Sequence, residues 1–365
     1  METADLIRSY GLIPPKTLTI MITNGCNLQC SHCWPNSLSS HQVQPAASAK
    51  IERVIQEFVQ IGVDSLIITG GEPFTHPDFF KILQSASNMR EMNQIQVQTN
   101  AVLLSDAIVD KVLGLNAKKL SFQVSLEGAT PVVNDRVRGG GSFRNALTGI
   151  QRLIAAGFKD RIQIAFTETS QNFSEIPALL KLLESLGIRQ FYSGTLVMRG
   201  RAETSPSLHP PTPGQYRNLI RLFQEDGDFR ERYQKYSGFN IAALEWSLDK
   251  PAGDIGCRFM EHCLVSAGGM LFPCPLFQFD NYGAPSLFDD SLDAVLKKIL
   301  PLWSKLQRIS LHRGKRLKEC VECPGQHHCH GGCMGRACAA SGELISVEDR
   351  CLQRRAIYDQ LHSSL

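Results

Sequence analysis

The sequence has no run of roughly 18 uncharged apolar residues, the length that would suggest a membrane span. Its opening, METADLIRSYGLIPPK, carries acidic residues early and no continuous apolar stretch of signal-peptide length. Neither sign of charge dominates: the net charge is +3, which gives no reason to expect nucleic acid or a membrane as partner. There is no internal repeat of useful length and no low-complexity tract. Cysteine is missing from residues 34–256, although the chain holds 12. The default location is cytoplasmic, where thiols stay reduced, so these cysteines point to metal binding or catalysis rather than disulfides.

The 365 residues suggest one large domain, or one large and one small, and can bury most of their apolar surface unaided. A hydrophobic fraction of 43% and a charged fraction of 20% are ordinary for a globular protein. Short apolar runs at 18–22, 65–69, 95–98, 120–124, 161–166 and 190–192 read as strands. Between them, 51–61, 79–89, 107–113, 143–156 and 176–186 carry apolar residues at helical spacing. Such a β-then-α series implies an α/β fold with parallel strands and helices packed outside. A TIM-like partial barrel and an open doubly wound sheet both satisfy the pattern. Residues 205–214, SPSLHPPTPG, read as a connecting loop, and about 215–223 as a helix. From about Asp254 the chain is rich in Gly and Cys with little periodicity, so metal ligation rather than an apolar core is expected to hold it together.

Cys26, Cys30 and Cys33 form C-x3-C-x2-C directly after the first strand. Three thiolates on one short loop can bind three irons of a [4Fe–4S] cube, leaving the fourth iron open to a small molecule. The rival is a zinc site with a distant fourth ligand. Active sites of β/α folds sit on loops at strand C-termini, which favours the catalytic reading.

This motif after a first strand resembles the signature of the radical S-adenosylmethionine (SAM) superfamily. The resemblance implies a partial (β/α)6 TIM-like barrel. It implies SAM chelated by the open iron, reductive cleavage to a 5′-deoxyadenosyl radical, and hydrogen abstraction from a substrate. Further motifs carry it. Gly70-Gly71-Glu72-Pro73 after the second strand resembles the segment that meets the methionine amino group, with glycines that let a ligand approach the backbone. Gln98-Thr99-Asn100 resembles the polar end of the third strand, with Ala101 where Gly is more usual. Ser125-Leu-Glu127-Gly128 resembles the motif near the SAM ribose, and Val137-Arg138-Gly139 an element whose arginine lies near SAM. Leu196, followed by Gly200-Arg201-Ala202, is similar to the family's ending after strand six, and His32 holds a position over the adenine. The SAM contacts implied are thus His32, Gly70, Gly71, Glu72, Pro73, Asn100, Ser125, Glu127, Arg138 and Leu196.

Nine cysteines fall between Cys257 and Cys351. Cys257-x5-Cys263, Gly269-x4-Cys274, Cys320-x2-Cys323-x5-Cys329-x3-Cys333 and Cys351 resemble the SPASM extension, which holds two auxiliary [4Fe–4S] clusters. The resemblance assigns Cys257, Cys263, Cys274 and Cys333 to the inner cluster, and Cys320, Cys323, Cys329 and Cys351 to the outer. With the first motif, three [4Fe–4S] clusters and SAM are expected. Cys338 is left over and reads as a small buried residue. Eight cysteines also fit two structural zincs, and His327, His328 and His330 lie among them. The domains expected are an extension at 1–16, the barrel at 17–203, a bridge at 204–253 and the SPASM domain at 254–365.

The resemblance implies a radical SAM oxidoreductase or peptide maturase acting on a ribosomally made peptide or protein by crosslinking, oxidation or epimerisation. Its expected partners are a flavodoxin- or ferredoxin-type electron donor and a separate leader-peptide-binding protein, since the first strand begins by about residue 17. Tetrapyrrole side-chain modification is the alternative, and an iron–sulfur electron carrier or zinc-stabilised scaffold is the alternative of another class. Anaerobic sulfatase-maturing enzymes have an aspartate base after the G-x4-C cysteine; here Pro275 stands there, which argues against that substrate. No substrate acid or base can be chosen among Glu245, Asp254 and Glu261.

Overall fold

A computed structural model describes residues 2–236, 238–248 and 256–363. Asp254, and with it the expected boundary at 253/254, lies outside the described residues. Six strands follow the expected series: β1 Thr17–Met21, β2 Ser65–Thr69, β3 Gln94–Thr99, β4 Leu120–Ser125, β5 Ile162–Glu168 and β6 Gln190–Thr195. Helices α1 Ser48–Gln60, α2 Phe79–Asn88, α3 Asp106–Leu113, α4 Ser142–Ala155 and α5 Ile176–Ser185 connect them. Each strand pairs in parallel with the one before it. That sequential order separates the two architectures left open above: a doubly wound sheet reverses order at a switch point, whereas barrel strands add in one direction.

The barrel does not close. Short β7 (Gly238–Asn240) lies parallel to β6. On the other side β8 (His262–Val265) pairs in parallel with β1, aligning Leu18 with Cys263. β9 (Met270–Phe272) and β10 (Ala284–Ser286) continue antiparallel from β8, giving one ten-stranded sheet. Along β3 to β6, buried residues, mostly apolar, alternate with half-buried or exposed ones. Ile95, Val97, Phe122, Val124, Ile162 and Ile164 are fully buried in the core. The alternate positions Gln98, Gln123, Ser125, Thr167 and Tyr192 line a cavity inside the arc of strands. A period of two therefore splits each strand into a packing face and a polar face.

The C-terminal region departs from expectation. It contains α7 (Leu292–Arg316), capped by Ser291, which buries Leu292, Val295, Leu296, Ile299, Leu300, Trp303 and Leu306. These residues recur at helical spacing and join the main core, so an apolar stripe supports this region besides any metal. Pro301 within α7 lacks an N–H to donate, which weakens the local signal without ending the helix. The expected helix near 215–223 is α6 (Pro213–Glu225), started by a Thr212/Gln215 capping box with Pro213 in its first turn. Two four-residue helices, Lys318–Val321 and Gln326–Cys329, and two longer ones, α8 (Met334–Ser341) and α9 (Cys351–Ser363), follow α7. Among the described residues no helix is long and apolar enough to cross a membrane.

Candidate active site

The cysteine loop after β1 is held from several sides by backbone. Gly71 and Glu72 donate their N–H groups to the carbonyls of Thr23 and Gly25 at 2.8 and 2.9 Å. A Cβ at Gly71 would stand 2.3 Å from the Gly25 carbonyl oxygen, and one at Gly70 2.4 Å from that of Thr23. These glycines thus let backbone meet backbone, beyond the ligand approach expected of them. Ser31 N–H donates to Val137 O at 2.8 Å. From beyond β6, Arg201 donates through Nε to Cys30 O (2.9 Å) and through Nη1 to Ser37 O (2.6 Å), and its N–H meets Cys33 O at 3.1 Å. Gly200 adopts φ +60°, and its bare Cα faces the carbonyls of Cys33 and Trp34. Segments from opposite ends of the strand series therefore grip one loop.

Two buried carboxylates organise the strand ends and are pushed in opposite directions. Glu72 accepts from the Thr99 hydroxyl and the Asn100 N–H, both at 2.8 Å. Burial pushes its carboxyl up to about 7, against the pull of these hydrogen bonds. Glu127 is equally buried, but burial is overruled there by Arg138 at 2.7 Å and His32 at 3.2 Å, so its carboxyl falls to about 2. Its second oxygen accepts from Thr167 N–H at 2.6 Å.

The cavity has a volume of about 440 Å³ and is lined at one end by Cys26, Cys30 and Cys33. Burial pushes the Cys26 thiol up to about 11 and raises that of Cys30, against the pull of Arg138 on the latter. Such thiols are neutral alone and take up a cation's charge as thiolates, the form in which iron is bound. Around them, His32 Nδ1, Arg138 Nε and Ser37 Oγ are buried without a hydrogen-bond partner. Thiols awaiting a cation beside unsatisfied polar atoms fit an iron–sulfur cluster with a polar ligand.

Two further cysteine groups form in the C-terminal region. Burial raises the thiols of Cys257, Cys263 and Cys274; beyond it, Cys333 raises Cys257 and Cys274, and Cys274 raises Cys263. Burial is the largest cause throughout, pushing Cys257 to about 11 and Cys274 to about 12. Separately, Cys320, Cys323, Cys329 and Cys351 act on one another and line a second, narrower cleft. Cys338, on α8, is buried and senses only Arg199. Among the described residues no three His, Cys, Asp or Glu side chains already converge as ligands of a single metal ion.

Residues 20–195 match the radical SAM superfamily. That segment is a radical SAM domain. This radical SAM protein is 29% identical over 361 residues to the AdoMet-dependent heme synthase of Methanosarcina barkeri, covering 93% of this chain and 97% of that one. It is also 29% identical to the mycofactocin maturase MftC of Mycobacterium ulcerans, over 94% and 89% of the two chains. Among solved structures, its fold is similar to native anSMEcpe with bound AdoMet (TM-score 0.72, 17% identity, 96% of this chain and 99% of that one). It is similar too to Streptococcus suis SuiB bound to S-adenosylmethionine (TM-score 0.67, 18% identity, 96% and 80%).

Of the residues singled out in the sequence of this radical SAM protein, His32, Gly70, Gly71, Asn100, Ser125, Arg138 and Leu196 line the cavity. Glu72, Pro73 and Glu127 do not; they are buried behind its wall, and the two carboxylates are spent on protein donors. They position Asn100, Arg138 and His32 rather than face a ligand. Arg138 is itself buried, not a solvated charge. Sequence reasoning missed Arg336 and Arg350, which reach the cavity from the C-terminal region. Arg336 pairs with Asp349 through two 2.7 Å bonds and donates to the carbonyls of Thr195 and Leu196, strapping α8 to the end of β6. It also missed Glu168, which accepts from Ser193, Thr195 and Tyr216 at 2.6, 2.9 and 2.7 Å. No local motif marks these three; only the fold brings the two arginines to the cavity and buries Glu168 beside the end of β6. Glu245 accepts from the Tyr233 hydroxyl at 2.5 Å, away from the lining.

Proposed function

We propose that this protein is a radical SAM peptide maturase. Cys26, Cys30 and Cys33 hold a [4Fe–4S] cluster, Cys257, Cys263, Cys274 and Cys333 hold an inner auxiliary cluster, and Cys320, Cys323, Cys329 and Cys351 an outer one. The observation that carries the reading is a cavity joining three cysteine thiols of one loop to the polar faces of β3 to β6. The cluster with SAM supplies one-electron reduction and a 5′-deoxyadenosyl radical, and that chemistry is the cofactor's own.

What the chain contributes is placement and exclusion of water. Arg201 and Gly200 fix the cysteine loop; Glu72 sets the Asn100 backbone and the Thr99 hydroxyl. Glu127 keeps Arg138 and His32 oriented toward the cavity. Gln98, Gln123 and Ser125 offer amides and a hydroxyl suited to a polar ligand, while Tyr192, Val197 and Leu276 give a more apolar wall to a substrate. Held by the two C-terminal cysteine groups, auxiliary clusters would supply one-electron redox chemistry, either taking the electron left on the substrate or relaying electrons inward, with a flavodoxin- or ferredoxin-type protein as donor. A leader-binding protein presents the peptide.

A peptide substrate is supported by the likeness to mycofactocin maturase MftC and by the fold shared with SuiB, whose structure bound to precursor peptide SuiA is among those similar. The likeness to a heme synthase along nearly its whole length favours a second reading, tetrapyrrole side-chain modification. The test is anaerobic reconstitution with SAM, dithionite and either peptides encoded beside the gene or porphyrins, read by mass spectrometry. A two-hydrogen loss marks crosslinking, and unchanged mass with solvent deuterium marks epimerisation. No 5′-deoxyadenosine from fully loaded protein overturns the enzyme reading in favour of an electron carrier.

A further inference from the structure

Four arginines line the cavity, Arg138, Arg201, Arg336 and Arg350, and no Asp or Glu does so among the described residues. Three of the four are committed. Arg138 is matched by Glu127, Arg336 by Asp349, and Arg201 is occupied by loop carbonyls. Arg350 differs. Among the described residues its one hydrogen bond is from Nη2 to Glu348 at 3.0 Å, a carboxylate it shares with Arg354, and its Nε, like that of Arg138, is buried without a partner.

The charge balance around it is uneven. Glu348 is almost wholly buried and serves two guanidinium groups, Arg350 and, at 2.6 Å, Arg354, while also accepting from Cys333 N–H at 3.0 Å. Together with Asp349, two carboxylates thus face three cations, Arg336, Arg350 and Arg354. Arg354 turns to the cleft lined by Cys320, Cys323, Cys329 and Cys351, where it pulls the Cys329 thiol down. Arg350 turns to the main cavity, with its side chain still 16% exposed. Besides Glu348, the groups facing it are the Asp349 carboxylate, Cys333, the Tyr216 phenol and the Trp246 ring, 5.3 Å from its guanidinium carbon. Tyr216 is bonded to Thr195, which places this cation near the end of β6.

From this geometry we infer that Arg350 is a specificity residue that binds a carboxylate of the substrate, at the end of a peptide or on a side chain. The inference rests on the peptide reading given above and deepens it. A guanidinium with N–H groups to spare matches a carboxylate through paired hydrogen bonds, and it does so most strongly where water is scarce. Beside it, Tyr192, Val197 and Leu276 give the residue bearing that carboxylate an apolar surface.

The test uses the full reconstituted chain with SAM bound, and N-acetyl-phenylalanine and its carboxamide as probes, with binding read by saturation-transfer NMR. The acid is expected to bind at least tenfold more tightly than the amide. Arg350→Ala should erase that preference, Arg350→Lys should restore part of it, and Arg316→Ala, an exposed cation on α7, should leave it unchanged. Equal binding of acid and amide to the wild type overturns the inference, as does a preference that survives Arg350→Ala. Because Arg350 adjoins Cys351, iron content is measured on each variant. Should Arg350→Ala lose iron, phenylglyoxal labelling of the wild type decides: the acid, and not the amide, must slow modification of Arg350. A chain that modifies peptides without preferring acids refutes this inference alone. One that prefers acids but modifies no peptide refutes only the maturase reading.

Discussion

Replacing Gly200 by Ala should unseat the cysteine loop while sparing the C-terminal cysteines. The added Cβ would stand 2.3 Å from the carbonyl oxygen of Trp34 and 2.5 Å from that of Cys33. Ordinary contact begins near 3.4 Å, so the two backbones must part by about 1 Å (3.4 less 2.3). Neither atom sits on a flexible side-chain end that could swing away. Gly200 also lies at φ +60°, ψ −131°, a conformation close to glycine-only, where a side chain costs about 1–3 kcal/mol. Parting the loops removes the Arg201 N–H bond to Cys33 as well, worth about 0.5–1.5 kcal/mol. The sum, about 1.5–4.5 kcal/mol, falls on the segment carrying Cys30 and Cys33. Anaerobically reconstituted Gly200→Ala should lose about a third of the iron, lose the effect of SAM on the reduced-state EPR signal, and form 5′-deoxyadenosine at least tenfold more slowly. Full iron with an unaltered SAM response would refute the claim that this glycine seats the loop. So would iron lost equally from all three groups.

Arg138→Met should cost about 3–5 kcal/mol near neutral pH, because it strands the Glu127 carboxylate in the interior. Wild-type Glu127 sits at about 2, below its ordinary 4.5, so its contribution is complete above about 4.5 and lost as pH falls toward 2. The deficit of Arg138→Met in urea unfolding should therefore shrink on acidification, and adding Glu127→Gln should recover part of it. Glu72 runs the other way. Its carboxyl is raised to about 7, so ionising it in the folded chain costs stability as pH climbs from 4.5 to 7. Wild-type stability relative to Glu72→Gln should then drift downward by up to about 3 kcal/mol over that range, and a flat difference would be the contrary result. Cys351→Ser should remove about a third of the iron without abolishing 5′-deoxyadenosine formation; loss of that product would place Cys351 in service of the first site.

The strand series was legible because β2 to β6 carry an alternation that periodicity detects, and the helices between them carry apolar residues every three or four positions. Ser65–Thr69 matches its expected bounds, and the other ends differ by a few residues. The closure of the arc was not legible. β8 is a four-residue strand inside a cysteine-rich stretch, and its pairing with β1 joins segments more than two hundred residues apart. The helix α7 was obscured by the density of glycine and cysteine on either side of it. At the site, short motifs reported the residues that lie near one another in sequence. They could not report Arg336 or Arg350, whose placement depends on α8 being strapped to the end of β6 and on α9 packing against α6. Nor does a motif tell a residue on the cavity wall from one behind it, which is why Glu72 and Glu127 read as ligand contacts.

The hydrogen bonds between Leu18 and Cys263 and their neighbours have one more consequence. Because β8 shields the flank of β1, the barrel and the cysteine-rich region cannot be produced as independent pieces. A chain cut before Gly256 would bare a central, apolar strand as a free edge, inviting self-association. Heating the intact protein should accordingly give a single cooperative melt, and limited proteolysis should release no stable N-terminal fragment.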